Sequence, residues 1–339
     1  MKKVISVLTP CYNEEAGIRE CYERVKQVFD EKLPQYEREH LFIDNCSSDR
    51  TVAILKEIAA VDKRVKIIVN ARNFGLSKSP YHGMLQITGD AVVPVVADLQ
   101  TPPGLIVDFA RKWEQGFKMV IAVRKGMREG YLIRMFRNIF YQIMSRMSKV
   151  TQISHFIGFG LFDRVVVDIL RDLNEPDPYF RGLVSEIGFE KAFIEYEQPP
   201  RRHGKSRHNF WDLLELSMLA LTTYSKAPIR LMTVAGLGIA FISVIVGLAY
   251  LILKLMFWNE FAMGTAPLVI GTFFLSAVNL AALGLVGEYV GLILQYSRRF
   301  PLVVEKERVN FDAPTSAAPA RLAGVAVNEC EDSAPAMVK

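Results

Sequence analysis

Two stretches without a single charged side chain constrain this chain more than any other feature. Residues 231–253 run for 23 positions between Arg230 and Lys254, and residues 261–287 for 27 between Glu260 and Glu288. An apolar helix of roughly 20 residues crosses the hydrocarbon core of a bilayer. The pair therefore predicts a hairpin of two transmembrane helices, at about 231–253 and 263–290 within a segment 229–298. Two buried helices of a large soluble core are the alternative, and the flanks decide against it. Lys226, Arg230, Arg298 and Arg299 lie on one side of the hairpin and only Lys254 in the connecting loop. By the positive-inside rule, the N-terminal region and the C-terminal tail are both expected in the cytoplasm. Phe257 and Trp258 suit the opposite interface. The expected location is thus an integral membrane one, the inner or plasma membrane in a bacterium.

Ahead of the hairpin, β-rich runs alternate with amphipathic ones, the pattern of a parallel α/β sheet. Strands are expected at 4–8, 41–43, 65–69, 91–97 and 119–123, and helices at 15–29, 51–60, 77–87 and 104–115. In such sheets ligands bind outside the carboxyl ends of the strands, so polar residues just after a strand are the ones to weigh. Residues 131–150 interleave Arg134, Arg137, Arg146 and Lys149 with apolar side chains, and 208–225 lead into the first span. Each reads either as an interfacial helix or as an ordinary packing helix with a solvated face. The net charge of +5 is too mild to imply nucleic acid. The cysteines and histidines show no zinc-site spacing.

Asp98, Leu99 and Gln100 follow the expected strand 91–97. A carboxylate and a side-chain carbonyl two residues apart suit one hard cation, Mg²⁺ or Mn²⁺, that also binds substrate phosphates. Two further polar motifs end strands: PCYNEE at 10–15 and IDNCSSD at 43–49. With RNFG at 72–75, DLQTPP at 98–103, FRG at 180–182, RRHGKSR at 201–207 and GEYVG at 287–291, the chain resembles the family-2 inverting glycosyltransferases of GT-A fold. It looks closest to the polyprenyl-phosphate branch, which includes dolichol-phosphate mannose synthases and bactoprenol glucosyltransferases. The resemblance spans roughly residues 4–305 in the correct order.

That resemblance implies a GT-A catalytic domain, Rossmann-like with a mainly parallel sheet, over 1–225, including interfacial helices at about 131–150 and 208–225. The two transmembrane helices and a largely flexible cytoplasmic tail over 299–339 would follow. It implies transfer of a sugar, with UDP-glucose as the first expectation, from a nucleotide-sugar to undecaprenyl or dolichyl phosphate with inversion. Pro10, Tyr12, Glu14, Asp44 and Asp98 would bind the nucleotide-sugar, and Asp98 and Gln100 the Mg²⁺ or Mn²⁺. Arg124, Arg137, Arg201, Ser206 and Arg207 would meet the acceptor phosphate, with Asp98, Arg124 and Arg201 carrying catalysis. Arginine suits that task because its planar fork grips phosphate oxygens in pairs. A homo-oligomer is expected, since Gly236, Gly238 and Gly247 would let neighbouring spans pack closely.

Four positions ahead of the hairpin depart from the family pattern. Asn45 and Cys46 replace an Asp and a Gly, Val96 stands where the family often has the first Asp of its metal motif, and Gly158 stands where relatives often carry an Asp. A phosphate acceptor is already anionic near neutral pH, so it attacks without the general base that a hydroxyl acceptor needs. Asp163 is the one nearby acid that would compensate for Gly158. The same departures favour the alternative, a catalytically inactive membrane scaffold or lipid-phosphate binder of the same fold. The retained Asp44, Asp98 and Gln100 and the arginine loops favour the enzyme.

Overall fold

The computed structural model describes residues 2–125, 156–199, 265–297 and 301–311, with scattered residues between 236 and 256. The elements run β1 (Val4–Cys11), α1 (Ile18–Lys32), β2 (Glu37–Asp44), α2 (Thr51–Val61), β3 (Val65–Asn70), α3 (Gly75–Leu85), β4 (Ala91–Pro94), α4 (Ile106–Glu114) and β5 (Met119–Arg124). After these come β6 (Phe156–Asp163), α5 (Arg164–Leu173), α6 (Phe180–Glu186), β7 (Lys191–Tyr196), α7 (Thr265–Ser297) and β8 (Glu305–Val309). The strands and α1–α6 lie in one compact unit, and α7 lies in a second.

The eight strands form one sheet in the order β7-β5-β6-β4-β1-β2-β3-β8. Strands β1–β5 and β7 point the same way; β6 and β8 run against their neighbours. A sheet covered on both faces needs apolar residues on both, and the strands supply them as nearly continuous runs. Ile5, Val7, Val93 and Val120 pack with α1 and α4 through Val25, Phe29, Phe109 and Trp113. Leu8, Ile43, Val92 and Ile121 belong to a second cluster with Tyr81, Met84, Val167 and Val184 from α3, α5 and α6. Phe42 and Ile67 join Leu55 and Ile58 of α2 in a third. Each large side chain so buried contributes about 1.5–3 kcal/mol.

The central parallel strands stand where expected, apart from the fourth. It was expected to reach residue 97 but ends at Pro94, because the chain then turns to carry Asp98. The antiparallel β6 was not expected, since FIGFGLFD lacks the alternation that marks a strand. It fits between β4 and β5 only because position 160 is glycine: a Cβ there would lie 2.3 Å from the Val120 carbonyl oxygen.

The tail expected from residue 299 also needs correcting. Residues 305–309 pair antiparallel with β3 as the edge strand β8. The strand EKERV is mostly charged, and it is held by side-chain contacts that no periodicity reveals. Glu305 pairs with His82 at 2.6 Å and with Arg308. Lys56 pairs with Glu307 at 2.7 Å, and the Asn310 amide donates to the carbonyls of Ala59 and Val65 at 2.8 and 2.9 Å. Burial pushes the Glu305 carboxyl up, but its bonds to His82 and Arg308 outweigh this and bring it from 4.5 to about 2. A depressed folded pKa stabilises above the unfolded value, and that stabilisation is lost as pH falls through the folded one. Glu305→Gln is therefore expected to lower the thermal midpoint at neutral pH, with the gap to wild type closing between about pH 4.5 and 2. Melts at stepped pH check this; a gap independent of pH would refute it.

Over the described residues alone, no helix is long and apolar enough to cross a membrane. The span expected at 231–253 lies almost wholly outside them. Helix α7 has 33 residues, and the side chains of only part of it are described.

Candidate active site

The strand order sets the site. From β1 the chain moves outward to β2 and β3, then returns to lay β4 on the other side of β1. The crevice between the carboxyl ends of β1 and β4 is the switch point at which open α/β sheets bind ligands. The loops after β1, β2, β3 and β4 all open on this edge, where Cys11 is in register with Asp44, and Asp44 with Val69.

These loops are stitched together. After β1, the Asn13 and Glu14 amides donate to the Ser47 and Thr51 hydroxyls, both at 2.9 Å. Asn13 Oδ1 accepts from the Ser48 amide at 2.8 Å. Asn13 holds φ 54°, a left-handed conformation that asparagine tolerates. Pro10, near the end of β1, and Tyr12 and Glu14, on the loop after it, are half-buried. Asp44 is fully buried and accepts from the Ser47 amide at 2.9 Å and from the Ser47 hydroxyl. Burial raises its carboxyl above the usual range, against the bonds from Ser47.

After β4 the chain makes a tight turn. The Val96 amide donates to Thr101 Oγ1 at 2.9 Å, the Leu99 amide to the Val96 carbonyl at 3.1 Å, and the Gln100 amide to Asp98 Oδ1 at 3.0 Å. Leu99 takes φ 58° and buries its side chain in the core, which leaves Asp98 and Gln100 half-buried on either side of it. The turn thus holds the acid and the amide near one another at the switch point. Among the described residues no group of three or more His, Cys, Asp or Glu could cage a metal. One carboxylate with one amide carbonyl still fits a cation such as Mg²⁺, which binds through one or two protein oxygens and substrate phosphates.

Arg124, at the end of β5, opens on the same edge but two strands beyond β4, where it donates to Gln198. The other residues expected at the acceptor phosphate, Arg137, Arg201, Ser206 and Arg207, lie outside the described residues. Asp163 does not compensate for Gly158. It pairs with Ala91 at the opposite end of β4, where it caps α5 through the Val165 amide and accepts from Trp113 Nε1 at 2.7 Å and Lys118 Nζ at 3.0 Å. Gly158 holds φ +97°, which L side chains rarely adopt. An aspartate there would be strained, so the glycine follows from the path of β6. Conversely Cys46, where the family pattern has glycine, holds φ 66°, a strain of roughly 1–2 kcal/mol. The cross-loop bonds of Asn13, Ser47 and Thr51 escaped the reading of the sequence, although all three lie in or beside the motifs it singled out.

The chain belongs to glycosyl transferase family 2, whose profile matches residues 6–168. It is a glycosyltransferase with a GT-A-like α/β fold. It is 36% identical over 300 residues to the uncharacterized glycosyltransferase YkcC of Bacillus subtilis, covering 88% of this chain and 92% of that one. It is 33% identical over 306 residues to the bactoprenol glucosyl transferase of Shigella phage SfX, covering 90% and 99%. Among solved structures, glucosyl-3-phosphoglycerate synthase from Mycobacterium tuberculosis, in complex with Mn²⁺, UDP-glucose and phosphoglyceric acid, aligns at 17% identity. That alignment covers 65% of this chain and 78% of that one with a TM-score of 0.41, a likeness too slight to argue from.

Proposed function

We propose that this glycosyltransferase moves a sugar from a nucleotide-sugar, UDP-glucose first among the candidates, to a polyprenyl phosphate such as undecaprenyl or dolichyl phosphate, with inversion. The observation that carries the reading is the gathering of the β1 loop, Asp44 and the Asp98–Gln100 turn at one switch point. Likeness over nearly full length to a bactoprenol glucosyl transferase supports the acceptor class. The uncharged runs 231–253 and 261–287 support anchoring by two membrane helices, and the 33 residues of α7 span about 50 Å at 1.5 Å per residue, ample for the second. The charge asymmetry around the runs supports a cytoplasmic catalytic unit and cytoplasmic termini.

In this reading Pro10, Tyr12 and Glu14 frame the nucleoside, and Asp44 accepts a hydrogen bond from the base. Asp98 and Gln100 would hold Mg²⁺ or Mn²⁺, which when bound neutralises the charge gathering on the departing diphosphate. Arg124, with Arg137, Arg201, Ser206 and Arg207, orients the lipid phosphate. One of its oxygens forms a bond to the anomeric carbon as the bond to the nucleoside diphosphate breaks. The acceptor is already anionic, so no side chain needs to take a proton, which agrees with a glycine at 158. Catalysis is then positioning and charge stabilisation. In the same reading this chain assembles as a homo-oligomer, its first span packing with neighbours through Gly236, Gly238 and Gly247.

Incubating the protein with undecaprenyl phosphate and a panel of radiolabelled UDP- and GDP-sugars tests this. Labelled lipid is expected from one donor, with labelling abolished by chelator. No labelled lipid from any donor, in an assay where a known relative is active, would favour the inactive scaffold.

A further inference from the structure

Asn45 directly follows Asp44, is buried, and uses its whole amide. Its Nδ2 donates to Asn73 Oδ1 at 2.7 Å and to the Gly75 carbonyl at 3.2 Å. Its Oδ1 accepts from the Phe74 amide at 2.9 Å and from Asn70 Nδ2 at 3.0 Å. Asn70 is fully buried at the end of β3 and also reaches Ser79 Oγ in α3 at 2.9 Å. Asn73 Oδ1 in turn accepts from the Gly75 amide at 2.8 Å, and Arg72 lies over the buried Phe74 ring at 4.1 Å. One side chain after β2 thus fixes the whole loop after β3.

The family pattern carries an acid at this position. A carboxylate only accepts, so it would serve Phe74 and Asn70 but leave the Gly75 carbonyl without its donor. A vestige of a lost acid would have no reason to be saturated on both atoms. We infer that Asn45 is a positioning residue for the donor substrate: it braces the 72–75 loop against the end of β2, beside Asp44, so that the nucleotide meets a preformed wall. The inference rests on the nucleotide-site reading above. Preformed contacts save the cost of ordering a loop on binding, so the brace acts on donor affinity rather than on the chemical step.

The test uses the full-length protein in nanodiscs, with UDP binding by calorimetry and UDP-glucose transfer to undecaprenyl phosphate (GDP and GDP-mannose if those are the forms bound). Asn45→Ala is expected to weaken nucleotide affinity and raise the donor KM about tenfold, with kcat and the acceptor KM held within about twofold. Asn45→Asp keeps the shape and both accepted bonds but cannot donate to the Asn73 side chain or the Gly75 carbonyl, so it is expected to weaken donor binding less than Asn45→Ala does, again with kcat held. If Asn45→Ala does not fold, the donor KM of Asn45→Asp decides alone, and a donor KM equal to that of wild type overturns the inference. So does an Asn45→Ala loss that falls on kcat and the acceptor KM as heavily as on the donor KM. Wild-type binding that Asn45→Ala leaves unchanged overturns the brace alone. Wild-type protein that binds neither UDP nor GDP overturns the nucleotide-site reading and the brace with it.

Discussion

Asp98→Ala is expected to lower sugar transfer by about 100- to 1,000-fold, the loss seen when one preorganised charge-stabilising contact is taken from a reaction centre. The turn places this carboxylate at the switch point, and among the described residues no cluster of three or more acids, histidines or cysteines could hold a metal in its stead. The change should leave fractionation and the thermal midpoint near those of wild type, because Asp98 is half-buried and accepts from the Gln100 amide within its own turn. Activity, fractionation and melting together form the check. Wild-type turnover by a pure Asp98→Ala preparation would remove Asp98 from the leaving-group site, and a lower midpoint matching the activity loss would make it structural.

Asp163→Ala is expected to do the reverse, costing about 2–4 kcal/mol of stability while leaving the chemistry of the folded fraction intact. Three groups lose their acceptor at once: Trp113 Nε1, the Val165 amide that begins α5, and Lys118 Nζ. The Lys118 side chain is 44% exposed, so screening keeps its share small, and the cost comes mainly from the buried indole and the uncapped helix. Burial raises the Asp163 carboxyl, but the bonds from Trp113, Val165 and Lys118 prevail and hold it below the usual range. The stabilisation is therefore complete above about pH 4 and lost as pH falls through the depressed value. Melts of both proteins should converge in acid. A midpoint unchanged at pH 7, with activity lost, would return Asp163 to the reaction.

The contrast between these two acids shows what was legible in the sequence. Asp98 could be found because it follows an apolar run and precedes a proline pair, features that belong to local chain geometry. Asp163 could be misjudged because its role depends on β6 running backwards between β4 and β5, which neither FIGFGLFD nor its neighbours announce. The central strands showed themselves because burial on both faces demands Val, Ile and Leu in sequence. The edge strands β7 and β8 did not, since an edge is satisfied by charges and long-range pairs such as Lys56 with Glu307. Asn45 looked like a missing acid, and only the positions of Asn70, Asn73 and Phe74 reveal what its amide does.

The way β8 closes the sheet bears on how the molecule is made. Strand β3 is translated by residue 70, yet its outer neighbour does not leave the ribosome until residue 305 and beyond. Through most of synthesis β3 offers an unpaired row of amides and carbonyls, the kind of border along which nascent chains stick to one another. The pairing that finally covers it joins residues more than 230 positions apart, a slow class of contact to form. Polypeptides that stop short of residue 305 keep the reaction-centre turns but leave that border bare, so their fate is set by clumping and quality control rather than by loss of chemistry.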